Sequence, residues 1–130
     1  MDDVAADTIA LEIQPGQNKV EDVFVKKIRE AIESNITDAS FSVEHLCKLV
    51  FISHSQLHRK LEGVTGLSPN KFIRMIRMNK AKELLKNSPN SIALIADDCG
   101  YNDPGYFARA FKQDFGQTPQ DWRVSNKAIL

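Results

Sequence analysis

His54 and His58 stand four residues apart, a spacing at which two imidazoles share one helix face and can hold a metal ion. Ser55, not glutamate, follows His54, so the HExxH order fails, and no carboxylate or third ligand sits at a useful spacing. Asp97 and Asp98 resemble a carboxylate pair for acid–base work. Adjacent residues on a helix diverge, however, and read as a solvated face. There is no glycine-rich phosphate loop and no serine–histidine–aspartate arrangement with supporting context. The sequence therefore predicts no catalytic residue, no metal ligand and no cofactor, and an enzyme is not expected. Arg59 and Arg109 offer a different chemistry. A guanidinium on an exposed helix face can donate two hydrogen bonds to guanine O6 and N7 in the major groove.

The elements that must position these arginines are helices. Val20, Phe24, Ile28 and Ile32 step by four through Val20–Asn35, an amphipathic helix. A short helix follows from Ser42, with a tight break at Phe51-Ile52. Ser53 with Gln56 three residues later is capping-box spacing, and opens a helix running to about Thr65 and stopping at Gly66. Ser68-Pro69 starts a long helix ended by Asn87, Ser88 and Pro89. From Pro69 to Lys86 it has 18 residues, about 27 Å at 1.5 Å per residue. Its apolar positions, from Phe72 to Leu85, fall on nearly every side, so it is packed upon from more than one direction. Ser91 begins another short helix broken at Gly100, Asp103-Pro104 caps one reaching about Phe115, and Thr118-Pro119 starts a last one through Trp122. No stretch alternates as a strand does. The predicted fold is all-α, about seven helices.

The two halves are copies. A shift of 50 residues places Ser53 on Asp103, Leu57 on Phe107, Arg59 on Arg109, Leu61 on Phe111, Gly66 on Gly116 and Ser68-Pro69 on Thr118-Pro119. The short helices before them match at 49, Leu46 on Ile95 and Cys47 on Ala96, so the second turn is one residue longer. This ordered set indicates a duplicated helix–turn–helix. The predicted organisation is a linker over 1–18, a first helix–turn–helix subdomain over 19–67, a central linker helix over 68–87, and a second subdomain over 88–130. The linker also holds a short extended piece at Thr8–Ile13. In each copy the second helix turns Leu57 and Leu61, or Phe107 and Phe111, inward. Outward it presents Ser55, His58, Arg59 and Glu62, or Gly105, Ala108, Arg109 and Lys112. Trp122, beside Phe115 and Tyr101, reads as core of the second subdomain.

Net charge is zero, with 17 bases and 17 acids, but unevenly spread. Residues 1–18 carry −4, whereas Arg59–Lys86 carries +6. The local excess bears on partners and suits a polyanion such as double-stranded DNA. Cys47 and Cys99 lie in apolar helical contexts and read as small core residues of a reducing compartment, a disulfide being the lesser alternative. The N-terminus lacks the basic start and apolar core of a signal peptide, and no apolar run approaches the ~18 residues a bilayer requires. The expected location is the cytoplasm.

From about Val20 to Arg123 the chain resembles the C-terminal DNA-binding domain of AraC-type transcriptional regulators. The resemblance rests on Ser53…Leu57…Arg59, Gly66-Leu-Ser-Pro69, Ile76-Arg77 and Ala81…Leu84-Leu85. It continues through Ile95-Ala96…Gly100-Tyr101, Tyr106-Phe107…Arg109…Phe111-Lys112, Phe115-Gly116…Thr118-Pro119 and Trp122-Arg123. It implies two helix–turn–helix units entering successive major grooves and regulating transcription in bacteria. On this reading Ser55, His58 and Arg59 carry most base readout. Gly105, Ala108, Arg109 and Lys112 form the second contact surface. Ser68, Thr118, Lys71, Arg74 and Lys112 hold phosphates. Two departures stand out. The family commonly has a small residue in the first turn where this chain has Phe51, so that turn is expected either to differ in geometry or to bury the ring. The family often has serines where this chain has Gly105 and Ala108, so the second unit is expected to read less by hydrogen bond.

The wording Gln56-Leu-His-Arg-Lys-Leu61 and Ser68-Pro-Asn-Lys-Phe-Ile-Arg74 further resembles output domains behind a receiver in hybrid two-component sensors. A parent of that kind adds an upstream receiver or sensor domain as a partner and a membrane anchor elsewhere. RNA polymerase is a further partner of such a regulator, and no small-molecule ligand is expected in this stretch. The alternative function is a helical adaptor binding an acidic protein through the same basic surface.

Overall fold

The structure, a computed structural model, describes residues 22–127. The predicted linker over 1–18, its extended piece at Thr8–Ile13, and Val20 lie outside the described residues. Among the described residues there are seven helices and no strand. They are α1 (Val23–Ser34), α2 (Val43–Val50), α3 (His54–Thr65), α4 (Pro69–Asn87), α5 (Ile92–Asp98), α6 (Pro104–Phe115) and α7 (Pro119–Asn126). None is long and apolar enough to cross a membrane.

Side-chain caps place the helix starts. Asp22 accepts from the amides of Phe24 (2.7 Å) and Val25 (3.4 Å), so α1 begins at Val23, later than its apolar period suggests. Ser42 caps α2, and its box is closed by the His45 imidazole rather than by glutamate or glutamine. The Ser53/Gln56 box at α3 forms as its spacing predicts, with Ser53 N–H donating to Gln56 Oε1 at 3.3 Å. Gly66 and Gly116 end α3 and α6 in the left-handed region, at φ 77° and 79°.

Among the described residues two compact units result, one from 22–35 with 41–76, the other from 36–40 with 77–127. The division falls inside α4, between Ile76 and Arg77. In the first unit α1 packs on α2 and α2 on α3. Val25, Ile28, Ile32, Leu46, Leu57 and Leu61 are fully buried there. In the second unit α5 packs on α6 and α6 on α7. Its core joins Met78, Ala81 and Leu85 of α4 to Ile95, Ala96, Cys99, Phe107, Ala110 and Phe111. Aromatic rings continue this core outward. Phe111 meets Phe115 edge-on at 4.7 Å and Trp122 at 6.2 Å, so Trp122 packs on the second core. The all-round apolar character of α4 follows, since its first half buries Phe72, Ile73 and Ile76 and its second half Met78, Ala81 and Leu85.

Arg77 is 6% exposed, deep in the second unit. Its Nη1 donates to the carbonyls of Ile36 (2.7 Å) and Cys99 (2.8 Å), and Nη2 to that of Asp38 (3.1 Å). Burial pushes the guanidinium down from its ordinary value, opposed by Tyr101, Cys99 and Asp38. At the other end of α4, Arg123 Nε donates to the Leu85 carbonyl at 3.0 Å, satisfying an acceptor the helix terminus leaves open.

The two helix–turn–helix turns open on one backbone path, before the extra residue of the second. Ile52 N–H donates to Cys47 O at 3.1 Å, and Tyr101 N–H to Ala96 O at 2.9 Å, positions matched by the repeat. The matched residues after α2 and α5, Phe51 and Gly100, have φ 56° and 87°. The expectation that Phe51 alters the turn or buries its ring is therefore corrected. The turn keeps the left-handed geometry, and the ring is 91% exposed. Glycine is required only in the second copy, where a Cβ on Gly100 would overlap the Arg77 guanidinium and the Ile36 carbonyl.

These turns make opposite predictions. Left-handed geometry costs an L-residue about 1–2 kcal/mol, partly offset by the greater chain entropy glycine loses on folding. Phe51→Gly should therefore stabilise the protein by about 1 kcal/mol in urea titration. Gly100→Ala should destabilise by roughly 3 kcal/mol or more, because the strain is joined by displacement of a buried, charged donor.

Candidate nucleic-acid interface

Helix α3 buries Leu57 and Leu61 completely and leaves Ser55, His58 and Arg59 exposed together on its outer side. Lys60, on the same helix, instead turns back to place its ammonium 5.1 Å from the Phe24 ring centre on α1. His58 Nε2 lies 3.1 Å from Glu62 Oε1, one turn along. The outer side thus carries an arginine, a serine hydroxyl and an imidazole–carboxylate pair.

Helix α6 repeats the plan. Phe107 and Phe111 are fully buried, Arg109 and Lys112 exposed, and Ala108 half-buried. Gly105 is exposed, and its amide donates to the capping Asp103 carboxylate at 2.8 Å. A Cβ there would stand 3.3 Å from Asp103 Oδ1 and 3.4 Å from Arg109 Nη1. The tighter of these is with the capping carboxylate, and the distance to Arg109 is ordinary contact, so a side chain at 105 would press first on the cap.

The predicted phosphate-holding positions divide in character. Ser68 and Thr118 cap α4 and α7, accepting from Lys71 N–H at 3.3 Å and Asp121 N–H at 3.0 Å. Pro69 and Pro119 follow them and have no N–H, so each first turn keeps one uncapped amide, that of Asn70 or Gln120. Lys71 is exposed. Arg74 is half-buried and already engaged within the protein. The basic excess of α4 is also partly internal. Arg77 is consumed by carbonyls, and Lys82 sits 4.3 Å from the Phe115 ring centre and 5.7 Å from that of Trp122.

Among the described residues no group of three or more His, Cys, Asp or Glu is placed to hold a metal ion. Cys47 and Cys99 are free thiols, both buried. Burial, aided by Glu44, raises Cys47, and burial with Asp98 pushes Cys99 up to about 12. Near pH 8, Cys99 in the native protein should therefore react with a disulfide reagent at least roughly a hundredfold more slowly than in strong denaturant.

Comparison with known proteins supplies the family. A family model described as "Helix-turn-helix domain" matches residues 46–125. The HTH-type transcriptional activator RhaS of Klebsiella pneumoniae is 38% identical over 79 residues, covering 61% of this chain and 28% of RhaS. The chain thus spans about 28% of the length of the curated relatives it matches. The C-terminal domain of AraT, a response regulator from Geobacillus stearothermophilus, superposes with a TM-score of 0.76 at 28% identity. That match covers 83% of this chain and 89% of the solved C-terminal domain. The DNA-binding domain of the global transcriptional factor AdpA, solved with a target DNA, shares the fold at TM-score 0.70 and 23% identity. It covers 77% of this chain and 89% of that domain. With two helix–turn–helix copies, an arginine exposed on each second helix, and these likenesses, the chain belongs to the helix-turn-helix family of AraC-type DNA-binding domains, which regulate transcription.

Proposed function

We propose that α3 and α6 are the two reading helices of a sequence-specific module for double-stranded DNA, entering successive major grooves in bacterial transcription regulation. The observation that carries this reading is the repeated division of faces. Each helix buries its apolar pair completely and exposes an arginine at the matched position, Arg59 or Arg109. Base readout is assigned mainly to Arg59, His58 and Ser55. In the second unit Arg109 reads, Ala108 and Gly105 permit close approach, and Lys112 holds phosphate. Lys71, Arg74 and the starts of α4 and α7 at Ser68 and Thr118 are assigned to the backbone. The single uncapped amide at each start makes the lysines the larger contribution.

As part of a longer regulator, the module would act in the cytoplasm and present bound DNA to RNA polymerase. The similarity to the C-terminal domain of AraT, a response regulator, supports an upstream receiver or sensor domain in the parent protein.

Selection of duplex DNA by this chain should return a defined site whose protected segments are centred one helical turn, about 34–36 Å, apart. Arg59→Ala should cost about 1–3 kcal/mol on that site and relax preference at one base pair. Lys112→Ala should weaken all duplexes alike and reduce the salt slope by about 1. A single short protected segment, with Arg109→Ala leaving affinity unchanged, would remove the second reading helix from the proposal.

A further inference from the structure

The repeat sets Glu62 and Lys112 at one register position, each on the outer side of its reading helix. Their charges are opposite. Lysine is the residue expected beside a polyanion, and a carboxylate in its place repels phosphate unless something recovers that cost. In this chain Glu62 is not a wandering surface acid. Its Oε1 lies 3.1 Å from His58 Nε2, and the two side chains are 54% and 52% exposed. A carboxylate only accepts, so Nε2 carries the hydrogen whatever charge the ring bears. The contact commits one oxygen and leaves the other free to accept from outside.

The major groove limits what that outside donor can be. Guanine presents acceptors, as does thymine, and both would repel a carboxylate. The donors are the exocyclic amines of cytosine and adenine, and the side chain suited to cytosine N4 is an acid. Adenine offers its amine beside the N7 acceptor, which a carboxylate cannot satisfy. Arg59 occupies the same outer side three residues earlier, so a guanine donor and a cytosine acceptor are presented together. We infer that Glu62 is a specificity-determining residue of the first unit, accepting from the N4 amine of a cytosine, and that His58, besides the readout assigned to it, positions Glu62 through Nε2. The inference rests on the reading of α3 as a groove-entering helix. It also gives the two copies different tasks at one position, a base in the first and the backbone in the second.

The test uses the duplex selected by the whole chain, its single-base-pair variants and random duplex, at fixed salt and pH. Glu62→Ala should lose about tenfold discrimination at one C·G pair, keep the preference assigned to Arg59, and bind random duplex equally or more tightly. His58→Ala should lose part of the discrimination at that same pair, and His58→Gln, which keeps a donor, should restore it. Thermal melts of each variant confirm folding. Uniformly tighter binding by Glu62→Ala and Glu62→Lys, with every base preference intact, would show a merely repulsive charge and overturn the inference. If the wild-type chain selects no sequence at all, the DNA-reading proposal fails and takes this inference with it. A selected site that Glu62 substitutions leave unmoved sinks this inference alone.

Discussion

One buried guanidinium ties the second unit together. Arg77 is removed from water, and its position is tolerable because three backbone carbonyls accept from it, those of Ile36, Asp38 and Cys99. Those carbonyls come from two segments far apart in the sequence, one before α2 and one after α5. Much else in the unit is a consequence. The 36–40 segment is held there, the end of α5 is pinned, and residue 100 must be glycine because the guanidinium occupies the space a side chain would need. A buried arginine stripped of one acceptor costs far more than a surface hydrogen bond.

The duplicated turns separate what a backbone needs from what a side chain does. Both copies take a left-handed residue at the same place and close the same hydrogen bond behind it. The first copy uses Phe51, which projects into solvent and accepts the strain. The second uses Gly100, which has no alternative. Glycine at a turn is often explained by φ alone, yet here φ is satisfied by phenylalanine in one copy. Crowding from Arg77 and Ile36 is the further constraint in the other.

The helices, their caps and the repeat were legible in the chain because they depend on neighbours within four residues. The Ser53/Gln56 box, the glycine stops at 66 and 116, and the inward pairs on α3 and α6 are all local signals. What escaped was set by partners distant in sequence. Arg77 and Lys82 count as basic surface in any tally of residues 59–86, whereas one is buried among carbonyls and the other covers aromatic rings. Arg123, which the sequence offered only as part of the family pattern, serves the end of α4. At the candidate site, the outward faces followed from periodicity. The His58–Glu62 contact did not, because it depends on rotamers.

The five residues from Ile36 to Ser40 have a consequence for how such a chain can be cut, made or recombined. They belong with residues from 77 onward, yet the whole of α2, α3 and the first half of α4 is threaded between. A piece beginning at residue 88 would contain every helix after α4 but lose Arg77 itself, and one beginning at 77 would still lack two of the three carbonyls that receive it. During synthesis this pentapeptide leaves the ribosome about forty residues before its arginine, and closing that loop is an entropic step that local helix formation cannot replace. The sequence repeat suggests two interchangeable cassettes. The chain's path makes them unequal, since one of them begins inside the other.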